Sequence, residues 1–429
     1  MRKILELKLK IIAKLVLKKY KPEIVGITGS VGKSSAKEAI YKVLSSSMNV
    51  RTSIKNYNNE VGLPLSILGF ETAGKSLSGW LKIFIKSLKL LLVKDKDYPK
   101  VLILEMGIDR PGDMDYLLSI APVNVGVATA VSYSHVEHFG SIDNIKKEKQ
   151  KLIQAVNPQG LSIVNHDNEY TKAMKEKSRA RVMTFGLSEE ANLKAQDIVY
   201  NYTKDDYELA GIHFKLDNNG SIVPVTMDNV MAETVLYAAL AAAAVGIYFK
   251  MNLVEIAQAL KDFSLPKGRM NFLPGVKHSF IIDDTYNAAP KSAIAGLETL
   301  GKIKIDERAS RWAILGDMLE IGHYTEEGHR LVGENAVKNK VDYLIAVGER
   351  ARDIVRGAVD SGMDKDKAFH FDRAEEAGKF LEDRMQAGDV ILVKGSQGVR
   401  MEKVVKEIMA EPQRAEELLV RQGKEWKDK

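Results

Sequence analysis

Short apolar runs alternate with amphipathic stretches along nearly the whole chain. EIVGIT (23–28), VLILEMG (101–107), VNVGVATA (123–130) and LSIVNHD (161–167) are continuous and rich in β-branched residues. So are FIIDDTYN (280–287), RWAILGDM (311–318), DYLIAVG (342–348) and DVILVKGS (389–396). Unbroken apolar runs of this length predict strands buried on both faces, as in parallel sheets, rather than half-exposed strands. Between them the apolar positions recur at helical spacing, as in AKEAIYKVL (36–44), and MAETVLYAALAAAAVGI (231–247) is a strongly helical block. Residues 195–228 are more polar and read as an antiparallel excursion. SLPKGRMNFLPG (264–275) is rich in Pro and Gly and marks a boundary. The pattern therefore predicts an α/β protein with a leader (1–21), a central domain with a mostly parallel sheet (22–265) and a second, Rossmann-like α/β domain (266–429).

Composition narrows the class. The chain has 429 residues, 45% of them hydrophobic and 28% charged, which suits a globular protein of more than one domain. It has no cysteine, so disulfides, thiolate metal sites and a cysteine nucleophile are excluded. A net charge of +6 favours anionic partners such as nucleotides or an anionic membrane surface. Aromatic residues do not interleave with the basic ones as a nucleic-acid stacking platform requires, so no nucleic-acid partner is expected. No run approaches the ~18 uninterrupted apolar residues of a membrane span. The N-terminus, MRKILELKLKIIAKLVLKKYKP, has lysines inside its apolar core and no small-residue cleavage site, unlike a signal peptide. A cytoplasmic site of action, with access to ATP, is expected.

GITGSVGKSS (26–35) is the most informative stretch. It joins a predicted strand to a predicted helix, so its backbone N–H groups and the helix dipole converge on an anion. Thr28, Gly29, Ser30, Gly32, Lys33, Ser34 and Ser35 are the candidate triphosphate contacts, with Lys33 reaching the outer phosphates and the Ser34 hydroxyl facing Mg²⁺. The strict pattern G-x-x-x-x-G-K-[ST] is not met, because its first glycine falls on Ile27. An ordinary glycine turn is the competing reading. The strand–loop–helix context weighs against it, and the central domain is read as a P-loop ATPase domain.

Other polar groups stand at strand ends, where α/β sheets place their ligands. Glu105 closes VLILE beside the phosphate loop and is either a metal ligand or a solvated strand end. His135 precedes His138 by three residues, but no third zinc ligand lies nearby. Lys146, Lys147, Lys149 and Lys151 follow, and such a run is by default a solvated helix face. Asp284, Asp317, Lys394 and Ser396 end three strand-like runs and together outline a substrate crevice.

TGSVGKSS, NYNNEVGLP, LEMGIDRPGD, SHVEHFGSIDNIKKEKQKL, KGRMN, DDTYNAAPKS, LGDMLEIG and VKGSQGVRMEKV occur in that order. Together they closely resemble the Mur ligase family, over roughly residues 22–410, and most of all its branch that joins D-alanyl-D-alanine to a UDP-N-acetylmuramoyl-tripeptide. The resemblance implies an ATP-dependent amide ligase of cell-wall precursor synthesis. ATP phosphorylates a carboxylate, and an amine captures the acyl phosphate. Two Mg²⁺ ions are implied, one held by Ser34 and Glu105, the other by His135 and a carbamylated lysine at Lys149. Arg269 resembles a linker arginine on the ATP phosphates, and Asn287 a nucleotide contact. Asp284, Asp317, Lys394 and Ser396 resemble the pocket for the incoming amine, and Asn58 and Asn59 the loop that meets the acyl substrate. A monomer is expected.

Two departures qualify the likeness. Where the family carries a His and an adenine-contacting Asn before the alanine-rich helix, this chain has Thr234 and Ala238. The family also has an N-terminal domain for the UDP-sugar, whereas only 21 residues precede the first strand here. Two basic apolar segments stand out instead. In the leader, Ile4, Leu5, Leu9, Ile11, Ile12, Leu15 and Val16 fall in one helical sector, with Lys3, Lys10, Lys14, Lys18 and Lys21 opposite. SLSGWLKIFIKSLKLLLVKDK (76–96) is the second. Such helices either pack on the protein's own apolar surface or lie in the interface of the cytoplasmic membrane face. The substrate alternatives remain open: a Mur-type ligase for another acyl or amine partner, or, in a different class, a membrane-tethered nucleotide-binding scaffold.

Overall fold

A computed structural model describes residues 2–53, 57–74, 76–132, 136–201, 211–228, 230, 233–319, 321–423 and 426. The apolar runs become strands. β1 (Glu23–Thr28), β2 (Val50–Thr52), β3 (Val101–Glu105), β4 (Val125–Ala128), β5 (Leu161–Asn165), β6 (Arg181–Gly186), β7 (Leu193–Asn201), β8 (Gly211–Asn218) and β9 (Ser221–Met227) share one sheet. Its order is β2-β3-β1-β4-β5-β6-β7-β8-β9. The pairings from β2 through β6 are all parallel.

The expected antiparallel excursion is present: Lys194 faces Asp217 and Lys215 pairs with Asp197, so β8 runs back along β7. β7 still pairs with β6 in parallel, at Phe185↔Leu193 and Gly186↔Lys194. The β8–β9 hairpin follows, where Asn219 (φ 49°) and Gly220 (φ 92°) both take the positive φ of a two-residue turn.

A second sheet contains β10 (Asn271–Gly275), β11 (Ser279–Asp284), β12 (Arg311–Gly316), β13 (Tyr343–Val347), β14 (Ala368–Phe371) and β15 (Val390–Lys394), in the order β10-β11-β15-β12-β13-β14. Only β10 runs antiparallel to its neighbour. The contacts divide the chain into two compact units. One comprises Met1–Ile198, His213–Thr226 and Thr234–Phe263; the other comprises Val199–Ile212, Met227–Glu233 and Ser264–Lys429.

Helices in the first unit position the site. α1 (Arg2–Tyr20) leads into β1, α2 (Lys33–Ser45) follows the phosphate loop, and α3 (Gly62–Leu68) and α4 (Leu77–Leu92) precede β3. α5 (Asp113–Leu118), α6 (Val136–Phe139) and α7 (Ile142–Gln154) flank β4. Two of these starts have a side-chain cap. Ser76 caps α4 by accepting from the Gly79 N–H at 3.1 Å, and Ser141 caps α7 by accepting from Asn144 N–H at 3.3 Å.

The leader helix corrects the sector expected from its sequence. Leu9, Ala13, Val16 and Leu17 are buried, and they join the core with Leu63, Leu65, Ile67 and Ile83 of α3 and α4. Ile4, Leu7, Ile11 and Leu15 are instead exposed. A wheel shows two apolar stripes as one broad sector; only a packed neighbour decides which stripe is covered.

Candidate active site

The turn after β1 is shaped for close backbone approach. A Cβ on Gly29 would lie 2.0 Å from Thr129 Oγ1, so no larger residue fits there. Gly32 holds φ 84°, the left-handed conformation that suits glycine, and α2 begins with no side-chain cap on its first N–H groups. Those groups and the helix dipole suit the turn to an anion. The neighbouring strand braces it: Thr129 Oγ1 donates to Val31 O at 2.6 Å, and Ser30 N–H donates to Ala130 O at 2.6 Å. Ser30 Oγ donates to Ser132 O at 3.0 Å, and Thr28 Oγ1 to Met106 O at 3.1 Å. Ser35 lies half-buried in the first turn of α2.

Two amines converge on one carbonyl. Lys33 Nζ donates to Gly29 O at 2.8 Å, and Lys149 Nζ donates to the same oxygen at 2.9 Å. Lys149 comes from α7, and it is buried rather than on the solvated face that a lysine run suggests. Burial, and secondarily the nearby Lys33 charge, hold its ammonium pKa well below the usual lysine range. Beside them Ser34 Oγ donates to Glu105 Oε2 at 3.1 Å, and Asn58 Nδ2 donates to Glu105 Oε1 at 3.3 Å. Both Ser34 and Glu105 are buried. Asn59 uses its side-chain oxygen locally, accepting from Gly62 N–H at 2.9 Å at the start of α3. His135 lies outside the described residues.

One carboxylate and one hydroxyl fit Mg²⁺, which is commonly held by one or two carboxylates together with substrate phosphates and water. Among the described residues there is no cluster of three or more His, Asp or Glu that would hold a metal without such help. That is the donor set expected when a triphosphate completes the coordination.

In the second unit, three strand ends come together as their positions in the sequence suggested. β15 lies between β11 and β12, with Asp284 opposite Lys394 and Leu315 opposite Lys394 in register. Lys394 Nζ donates to Asp284 Oδ2 at 2.6 Å and to Asn287 O at 2.9 Å. Burial raises the Asp284 pKa, while the Lys394 charge works against the rise. Ser396 Oγ donates to Ala288 O at 3.3 Å and accepts from Leu319 N–H at 2.9 Å. Asp317 Oδ1 accepts from Ala351 N–H at 2.7 Å, and burial raises its pKa also. The Arg269 guanidinium stacks 4.2 Å from the Tyr286 ring centroid, one residue before Asn287.

The comparisons decide the family. Residues 27–77 and 84–246 match the Mur ligase middle domain, and 268–397 match the Mur ligase glutamate ligase domain. The UDP-N-acetylmuramoyl-tripeptide--D-alanyl-D-alanine ligase of Mycobacterium leprae is 31% identical over 395 residues, covering 88% of this chain and 71% of the relative. The chain belongs to the Mur ligase family. The Bacillus subtilis enzyme of the same name is 25% identical over 402 residues, covering 94% of this chain and 79% of its own. Among solved structures, a Thermotoga maritima MurF ligase in complex with ADP is similar with a TM-score of 0.75 at 25% identity, covering 94% of this chain and 83% of that one.

For a Mur ligase, several supporting residues escaped the sequence reading. Thr129 stands near the end of a predicted strand run and braces the turn after β1; its place at that polar end was the available signal. His329 is buried and accepts from Met318 N–H at Nε2, 3.0 Å, which sets the turn that carries Asp317. Arg421 donates to Thr285 O and Glu402 Oε2, both at 3.0 Å, and to Tyr286 O. No local pattern marks an arginine that far along the chain.

Proposed function

We propose that this Mur ligase joins D-alanyl-D-alanine to the carboxylate of a UDP-N-acetylmuramoyl-tripeptide, at the expense of ATP and with release of ADP and phosphate. The relatives that bear this activity in their names cover most of this chain. The observation that carries the chemistry is the cluster under the glycine turn. Lys33, Lys149 and the Ser34–Glu105 pair meet within hydrogen-bonding reach of one another or of Gly29.

The roles follow from charge. A carboxylate and a triphosphate repel, so a site that unites them needs cations. Thr28, Gly29, Ser30, Gly32 and Ser35 line the turn that binds the triphosphate, and Lys33 draws charge from the moving phosphoryl group. The carboxylate oxygen forms a bond to the γ-phosphorus as the bond to the ADP oxygen breaks. The amine nitrogen then attacks the acyl carbon, inorganic phosphate departs, and the nitrogen loses a proton. Ser34 and Glu105 would hold one Mg²⁺, with a second on His135 and Lys149; when bound, these ions neutralise the phosphates.

Lys149 serves as a ligand once carbamylated. Its free amine attacks CO₂, forming an N–C bond and losing a proton, which turns a cation into a carboxylate-like group. A depressed pKa favours the free amine that this step consumes. Asp284, Lys394, Asp317 and Ser396 hold and orient the incoming amine, Arg269 and Asn287 contact the nucleotide, and Asn58 and Asn59 meet the acyl substrate. The enzyme works as a cytoplasmic monomer in peripheral contact with the membrane face.

The test uses the full chain with Mg-ATP, UDP-N-acetylmuramoyl-tripeptide and D-alanyl-D-alanine, reading phosphate release and product mass. The expected product is the two substrates joined with loss of water. Lys33→Ala and Glu105→Gln each lower turnover by about a hundredfold or more. Product formation by Lys33→Ala at the parental rate would refute the assignment, and product with a different amine only would change the substrate.

A further inference from the structure

The two basic helices outside the chemistry each have a second face. On α1, Ile4, Leu7, Ile11 and Leu15 are 47–60% exposed, although the opposite side of the same helix is buried in the core. Their spacing places them in one stripe about 80° wide at 100° per residue. Lys3, Lys8, Lys14 and Lys18 are also exposed and border or end that stripe. α4 repeats the arrangement. Leu77, Leu81, Ile85, Leu88 and Leu92 are 51–84% exposed and form a second stripe, and Ile83 and Ser87 are buried on the other side. Exposed Lys82, Lys86 and Lys89 run along one edge.

The two helices belong to one structure. α1 packs on α3 and α4. Lys19 Nζ donates to Leu90 O at 2.7 Å and Val93 O at 2.7 Å, and Tyr20 OH donates to Leu90 O at 3.0 Å. The C-terminal ends of α1 and α4 are thus tied together, and both apolar stripes are left uncovered by the described residues. Ten of the seventeen exposed large apolar side chains among the described residues lie on α1, on α4 or at Val93. Scattered surface apolar residues need no cause, but this concentration marks an interaction surface.

Charge selects the occupant. α4 contains no acidic residue, and Glu6 is the sole acid in α1. Two copies meeting through these faces would oppose lysine to lysine. A surface that is apolar at its centre and anionic around it satisfies both features, and a bilayer bearing anionic lipids has that composition. We propose that α1 and α4 form a paired docking face that lies on an anionic lipid bilayer, with the two apolar stripes at the headgroup–acyl boundary and the flanking lysines on the headgroups. No helix among the described residues is long and apolar enough to cross a membrane, so the attachment is peripheral. This names the surface and the lipid chemistry for the peripheral contact proposed above and does not depend on the ligase reaction.

The experiment is flotation of the full chain with phosphatidylcholine vesicles, with and without phosphatidylglycerol, at low and high salt. The protein should float with the anionic vesicles and bind more weakly as salt rises. Ile11→Gln and Ile85→Gln should each weaken binding about tenfold, and Lys82→Gln, Lys86→Gln and Lys89→Gln together about a hundredfold. Their thermal midpoints and phosphate release with soluble substrates should stay at the parental level. Failure to float on anionic vesicles at low salt, or variants that float as well as the parent, would overturn the proposal. So would a dimer in sedimentation that Ile11→Gln and Ile85→Gln convert to monomer, because the face would then be a protein contact. Lys33→Ala should float normally. Flotation without ligation refutes the reaction and leaves the docking face standing, and ligation without flotation does the reverse.

Discussion

At the level of single residues, burial sets the chemistry. Lys149 is held below its ordinary pKa first by desolvation and then by Lys33. Lower pH protonates the amine, and the protonated form cannot take up CO₂. Activity should therefore fall in degassed, bicarbonate-free buffer, fall further as pH is lowered, and return on adding bicarbonate. Phosphate release measured across pH with and without bicarbonate checks this, and ¹³C-labelled bicarbonate should give a carbamate resonance that Lys149→Ala lacks. Asp283 supplies the stability counterpart. Full burial raises its pKa to about 6, against hydrogen bonds from Thr285 that work the other way. A raised carboxylate pKa means that the folded state binds more protons than the unfolded chain. The stability it contributes is complete below the unfolded pKa of about 3.9 and is lost as pH rises through about 6. Asp283→Asn should thus raise stability above pH 6 by up to about 3 kcal/mol and change little below pH 4, as read from urea midpoints at several pH values. Lys33 and Glu105 were legible because a motif surrounds them. Arg421 was not, because the Thr285 carbonyl that it holds is 136 residues away.

Elements show how one helix serves two surfaces. Leu9 is fully buried on α1, whereas Leu7, two residues earlier, is 56% exposed. Leu9→Ala should lower folding stability by about 2–5 kcal/mol, since it removes methyl groups from a packed core. Leu7→Ser should stay within about 0.5 kcal/mol. Chemical denaturation of the two variants separates the faces, and equal losses would mean that the helix packs all round. The phosphate turn is likewise a property of neighbouring elements. β1 and α2 supply its N–H groups, but the residues just after β4, Thr129 and Ala130, make the contacts that brace it.

For the whole molecule, the class and eight of the strands were readable because the inner strands of a parallel sheet are buried on both faces and so are apolar throughout, whereas the parallel strands β2, β6 and β14 are only partly buried and carry no such run. The phosphate loop was readable because its glycines, lysine and serines are consecutive. Hydropathy along the chain thus determined the α/β class, and a local motif singled out the residues of the glycine turn. Tertiary structure alone decided which lysine in a run of four is buried, which stripe of the leader is covered, and that Lys394 meets Asp284 across 110 residues. Each of those outcomes depends on a neighbour brought close by folding. A side chain's burial, its pKa and its partner are set by what surrounds it in space, and local sequence records only the part of that surrounding that is also near along the chain.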